Sequence, residues 1–247
     1  MKLNLKIWRQ KDSFSKGKFE LYQVEANEHM SFLEMLDVLN EMLVSQKRIL
    51  LLLSMIAEGI CGTCGMVING SASRTSSGYY YLSIAYEVFK DGQTIVIEPY
   101  RAKAFQVIKD LMVDRSPLDK IIQAGGFISI NTGQAQDDNS ILIDKDTASK
   151  SFDAAACIGC GACVAACPNG AAMLFTSAKI SHLGLLPQGK VETDRRVSRM
   201  IAQMDKEGFG SCSNIGACEV ECPKEIKLTN IARMNRYYYK STFVSDY

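Results

Sequence analysis

Residues 157–168 read CIGCGACVAACP: Cys157, Cys160, Cys163 and Cys167 in the spacing C-x-x-C-x-x-C-x-x-x-C, closed by Pro168. This is the ligand run of a cubane iron–sulfur cluster, in which three thiolates hold one cluster and the fourth reaches over to a second. The intervening residues suit the task. A short loop that wraps an inorganic cluster needs little bulk, and Gly159, Gly161 and Ala162 let backbone N–H groups approach the sulfides.

The leftover Cys167 calls for a second copy, and residues 212–223 supply one: Cys212-Ser-Asn-Ile215-Gly-Ala-Cys218-Glu-Val-Glu-Cys222-Pro223. It keeps the first, third and fourth cysteines and the proline, with Ile215 in place of the second cysteine. If the fourth cysteine of each run crosses over, Cys157, Cys160, Cys163 and Cys222 hold a [4Fe-4S] cluster. Cys167, Cys212 and Cys218 then make a three-thiolate site, whose stable occupant is a [3Fe-4S] cluster. Zinc is the competing reading, because closed zinc sites also use cysteine pairs. Two such sites want eight ligands in sets of four, and seven cysteines without a well-placed histidine fit poorly.

Working outward, the chain of 247 residues is 47% hydrophobic, which suits one large domain or two small ones, and two is the expectation. A formal charge of +1 with interspersed signs suggests no nucleic-acid surface and points to protein partners. The opening MKLNLKIWRQ alternates instead of building a secretory signal. The longest apolar run, residues 49–57, is about half the ~20 residues of a membrane-spanning helix. All nine cysteines sit in tight spacings, unlike a dispersed disulfide framework, so a reducing compartment is expected.

The first hundred residues read as strands around one helix. LNLKIWRQ and KFELYQVEA alternate across a turn-rich KDSFSKG, and Ser31 with Glu34 forms a capping-box start for SFLEMLDVLNEML. GMVING and QTIVIEP add two strands. AFQVIKDLMVDRSPLDKIIQAG has helical periodicity until Pro117 interrupts it, INTGQAQDDNS is a polar linker, and the rest reads as helices between cysteine loops, with Gly208 a helix C-cap. The expected class is α+β, with domains at 1–104 and 105–247.

A GICGTC loop, then VIKDLMVDR, then the two cysteine runs, together resemble the iron–sulfur subunits of succinate dehydrogenase and fumarate reductase over nearly the whole chain. NTGQAQDDN and ACIGCGACVAACPNGAAMLF look closest to the bacterial type whose membrane partner is a single haem-bearing subunit. The resemblance implies a plant-type ferredoxin (β-grasp) domain followed by an α-helical bacterial-ferredoxin-like domain. It further implies an electron-transfer subunit between a flavoprotein carrying FAD and a quinone-reactive membrane anchor, held peripherally on the cytoplasmic face of the membrane, with no dicarboxylate site of its own. A non-conducting scaffold and a partner of a thiol-linked fumarate reductase are the alternative functions.

Against that family pattern, Cys61 and Cys64 match the middle pair of a C-x4-C-x-x-C set with a distant fourth ligand. Ile56 and Leu82 occupy the places of the other two, with Met55 where the family commonly has aspartate. The pair is thus half of a [2Fe-2S] site, and this domain is expected to have lost its cluster or to hold it weakly. Glu58 and Ser83 are the conceivable oxygen substitutes. A redox dithiol needs a helix N-terminus to lower a thiol pKa, and GMVING after Cys64 reads as strand. Where some relatives carry tryptophan after the first run, this chain has Asn169 to Ala172, with Ser213 where a histidine is sometimes found, which argues against quinone contact here. His29, His182, Trp8 and the RYYYKSTF tail are read as packing or surface residues.

Overall fold

The computed structural model describes residues 1–27, 29–48, 62, 64–72, 89–129, 137 and 142–244. Strand β1 (Lys2–Arg9) turns Leu3, Leu5 and Ile7 inward and its other residues outward, the period of two of a half-buried strand. It pairs antiparallel with β2 (Lys18–Glu25), Leu3 opposite Val24 and Trp8 opposite Phe19. Helix α1 (Phe32–Ser45) opens on the expected capping box: Glu34 N–H donates to Ser31 Oγ at 3.1 Å, and Ser31 N–H donates to the Glu34 carboxylate at 2.5 Å. Two otherwise orphaned donors are satisfied there, worth about 1 kcal/mol.

Strand β4 (Thr94–Glu98) lies parallel to β1, and the short β3 (Val67–Ile68) pairs antiparallel with β4, giving the order β2-β1-β4-β3. The inward faces of β1 and β4 meet Phe32, Leu33, Leu36, Leu39 and Leu43 of α1 in one core. This is the small mixed sheet around one helix that the strand pattern predicts.

The segment before Pro117 corrects the sequence reading. Instead of a helix it forms a hairpin, β5 (Val107–Lys109) and β6 (Met112–Val113), and Pro117 sits in the first turn of α2 (Ser116–Gly125). Asp110 is left-handed there, φ 49°. Its carboxylate takes bonds from Arg9 Nε at 2.9 Å, Arg9 Nη2 at 3.2 Å and the Gln10 N–H at 3.0 Å. That three-point attachment to β1 overrides the helical periodicity. Proline is tolerated in a first turn because no intrahelical bond is lost.

The remainder is helical: α3 (Lys145–Ala155), α4 (Ala162–Ala166), α5 (Met173–Gly184), α6 (Pro187–Lys190), α7 (Thr193–Lys206), α8 (Ala217–Val220) and α9 (Thr229–Val244). Helix α5 is central, packed by α3, α7 and α9, and it buries even Thr176, Ser177 and Ser181. Gly208, φ 80°, follows the end of α7 as the expected glycine cap. Arg196 on α7, buried, donates to the carbonyls of Gly125, Phe127 and Gly189 and so gathers the ends of α2 and α6. The second core includes Tyr100 and Phe105, while Leu111 packs into the first, so the chain crosses between cores around residues 100–111. Apart from Asp137, the INTGQAQDDNS stretch lies outside the described residues. Among the described residues, no helix is long and apolar enough to cross a membrane.

Candidate metal centre

The two cysteine runs share one backbone form. Left-handed residues recur 55 positions apart: Gly159 and Asn214, Gly161 and Gly216, Gly170 and Glu225. In each run the second of these residues, Gly161 at φ 87° or Gly216 at φ 85°, turns the chain into a short helix, α4 or α8. Cys167 N–H then donates to Val164 O, and Cys222 N–H to Glu219 O, at 3.2 Å in both runs. The helices α4 and α8 pack on each other, which brings the end of each run to the start of the other.

The result is two cavities. Cys157, Cys160, Cys163 and Cys222 line the first, with Leu174, Phe175 and Ile226 as apolar walls and about 340 Å³ of empty space including the mouth. Cys167, Cys212 and Cys218 line the second, of about 360 Å³, with Ile215 beside them. Leu174 of α5 belongs to both walls and stands between them. The first cavity lies deeper; Cys212 and Ile215 of the second are exposed.

Burial pushes the Cys163 thiol well above its ordinary value, aided by the facing Cys160, Cys157 and Cys222. Burial likewise raises Cys160 to about 11, opposed by a backbone N–H at Ala162 and by the Arg115 charge, and it raises Cys157 and Cys218. Cys157, Cys160 and Cys163, crowded into an apolar cavity, are poor anions by themselves. An iron centre supplies the positive charge that makes thiolates favourable there, so the donor set fits iron–sulfur ligation. Backbone donors are in place: Asn214 N–H to Cys212 Sγ and Ile226 N–H to Cys222 Sγ, each 3.4 Å. Among the described residues no three Cys, His, Asp or Glu side chains converge as ligands of a single ion do. Sulfurs spaced around a cavity suit a cluster better than zinc.

The amino-terminal pair stands differently. Cys64 is buried in the first core, 3% exposed. Cys61, Ile56, Glu58, Leu82 and Ser83 lie outside the described residues. Gly62 reaches the first cavity's loop: its carbonyl accepts from Arg115 Nη1 at 2.7 Å, and a Cβ on it would sit 2.4 Å from Cys160 Cβ. Ser71 Oγ donates to Glu221 at 2.7 Å beside Cys222. Arg115, Gly62 and Glu221 are absent from the sequence-derived site. The VDR of VIKDLMVDR is the one local signal that could have pointed to Arg115. Asn169 donates to Ser211 O and Ser213 Oγ, bridging the two runs. His182 lies in the last turn of α5 and His29 in a turn, away from both cavities.

A mixed-sheet domain joined to a helical domain with two sulfur-lined cavities defines an iron–sulfur electron-transfer protein. Family profiles agree: residues 4–120 match a 2Fe-2S iron-sulfur cluster binding domain, and residues 153–226 a 4Fe-4S dicluster domain. The chain is 30% identical to the succinate dehydrogenase iron-sulfur subunit of Bacillus subtilis, covering 72% of this chain and 68% of that one. It is 28% identical to the fumarate reductase iron-sulfur subunit of Wolinella succinogenes, over 90% of each. The fold matches a chain of the Mycobacterium smegmatis Sdh1 complex in the apo form, with TM-score 0.64, 18% identity, and coverage of 100% of this chain and 99% of that one. The chain belongs to the family of succinate dehydrogenase and fumarate reductase iron–sulfur subunits, and iron–sulfur clusters are its cofactors. Residues 4–120 nevertheless offer only Cys61 and Cys64, half the thiolates that a [2Fe-2S] cluster takes.

Proposed function

We propose that this chain relays electrons between an FAD-carrying flavoprotein subunit and a haem-bearing, quinone-reactive membrane anchor, held through them on the cytoplasmic face of the membrane. In this reading Cys157, Cys160, Cys163 and Cys222 hold a [4Fe-4S] cluster, and Cys167, Cys212 and Cys218 hold a [3Fe-4S] cluster. The observation that carries it is the pair of adjoining cavities, each taking its last sulfur from the other run. When bound, the clusters supply one-electron redox chemistry whose potential follows ligand number, N–H···S bonds and burial.

The chain's own residues set those conditions. Leu174, Phe175 and Ile226 give the first cavity apolar walls. Ile215 denies the second a fourth thiolate. The Asn214 and Ile226 N–H groups donate to the Cys212 and Cys222 sulfurs, the kind of N–H···S bond that bears on a cluster's potential.

The order β2-β1-β4-β3 over one helix supports reading residues 1–104 as a plant-type ferredoxin, β-grasp domain, and residues 105–247 as the α-helical ferredoxin domain. With Cys61 and Cys64 alone, the first domain is proposed to hold no stable [2Fe-2S] cluster.

An iron and sulfide count with low-temperature EPR on the purified protein tests this. The expected result is an oxidised [3Fe-4S] signal and a reduced [4Fe-4S] signal. Absence of both overturns the ligand assignment, and a reduced [2Fe-2S] signal overturns the reading of the first domain.

A further inference from the structure

Arg115 ties the two halves of the molecule together at the first cavity. It immediately precedes α2, yet its guanidinium turns to three backbone carbonyls. Nη1 lies 2.7 Å from Gly62 O, 3.1 Å from Cys160 O and 3.4 Å from Gly159 O. One carbonyl belongs to the amino-terminal cysteine loop and two to the loop of the first cavity.

Contact between these loops is backbone to backbone. Gly62 is left-handed, φ 66°, and a Cβ on it would lie 2.4 Å from Cys160 Cβ and 2.6 Å from Cys160 Cα. Carbonyl oxygens crowded together repel, and a cation shared among them removes the repulsion with charge-assisted bonds. All three bonds fall to the one nitrogen Nη1, which arginine carries one bond farther from Cα than lysine carries its ammonium, with a charge that is permanent.

We propose that Arg115 is a positioning residue for the first cluster: it clamps the Gly62 loop onto the Gly159–Cys160 backbone, and its fixed positive charge beside that loop raises the cluster's reduction potential. The proposal rests on the ligand assignment above. Reduction adds one negative charge to the cluster, and a cation held nearby stabilises that state. Removing the charge should shift the redox equilibrium about tenfold toward the oxidised form, ~59 mV for a one-electron couple.

The test uses the full chain with its clusters, as wild type, Arg115→Lys and Arg115→Gln. Amide hydrogen exchange is followed at 62–72 and 159–160, and the [4Fe-4S] midpoint is followed by EPR-monitored titration. Exchange at both segments should quicken at least about fivefold in both variants, because the lysine ammonium and the glutamine amide both fall short of the place Nη1 occupies. The midpoint should fall in Arg115→Gln, which lacks the charge, and stay near wild type in Arg115→Lys, which keeps it. Wild-type exchange in Arg115→Lys overturns the clamp, and an unmoved midpoint in Arg115→Gln overturns the charge effect. If Arg115→Gln does not load its clusters, the Arg115→Lys exchange decides. A wild-type protein without a [4Fe-4S] signal sinks the ligand assignment instead, and the exchange comparison still decides the clamp.

Discussion

Ile215 occupies, 55 residues on, the backbone position that Cys160 holds in the first loop, and its side chain is 60% exposed at the mouth of the second cavity. An exposed isoleucine contributes little burial, so its replacement is cheap in stability and large in chemistry. Ile215→Cys should raise the iron content by one per chain and replace the [3Fe-4S] signal of the oxidised protein with a [4Fe-4S] signal on reduction. Unchanged iron with a persistent [3Fe-4S] signal would count against three-thiolate ligation. Gly62 is the opposite case, since any side chain there meets the Cys160 backbone. Gly62→Ala should cost about 1–3 kcal/mol in thermal or denaturant unfolding, with exchange quickened across the loop. The place of Ile215 in the second loop was legible because ligand spacing is a local rule. That of Gly62 was not, because its partner lies about a hundred residues away and no pattern within the GICGTC loop announces it.

At the level of elements, the β5–β6 hairpin shows why periodicity alone misled. Its apolar spacing is helical, but the buried Arg9–Asp110 pair, with side chains 13% and 3% exposed, fixes the backbone across 101 positions. Burial pulls Arg9 down, yet its bonds and charge contact with Asp110 and Tyr22 leave it above its ordinary value. Asp110→Asn leaves that cation without its counter-charge and should destabilise the protein by about 3 kcal/mol, read as a fall in the denaturation midpoint. Helix α1 was legible by contrast, since its capping box and apolar stripe lie within one segment.

Helix α5 carries a pH dependence of its own. His182 Nδ1 is buried without a hydrogen-bond partner among the described residues. Burial first, then the charges of Lys179 and Arg196, hold its pKa below the ordinary value. The unfolded chain therefore binds the proton more readily, so this group's contribution is intact above about pH 6.5 and is lost as pH falls below it. Between pH 7.5 and 6.0 the wild-type Tm should drop more than that of His182→Gln. Equal slopes would show that His182 does not couple to folding.

Among the described residues the first core meets the helical half where Gly62 lies against Cys160, and the sulfur-lined cavities belong to the helical half. Cys64 lies in the first core and Cys61 three residues before it, whereas the other seven cysteines line the two cavities. Cys61→Ala with Cys64→Ala should therefore leave the iron content and both EPR signals as they are. Loss of either signal would show that the amino-terminal pair supports a cluster. The mixed-sheet and helical parts, and the gathering of the seven later cysteines around two cavities, could be read from spacing and repeats. The crossing of the chain between cores, with Tyr100 and Phe105 in one and Leu111 in the other, could not, because apolar residues do not declare which neighbour they meet. The reciprocal exchange of sulfurs between the two cavities also sets a timetable. A ribosome delivers Cys157, Cys160 and Cys163 well before Cys222, so a nascent polypeptide holds an open, three-sulfur cradle until synthesis passes residue 222. On the proposed ligand assignment the four-sulfur lining of the deeper cavity is thereby completed late, and a polypeptide cut short anywhere between Cys167 and Cys222 never completes it.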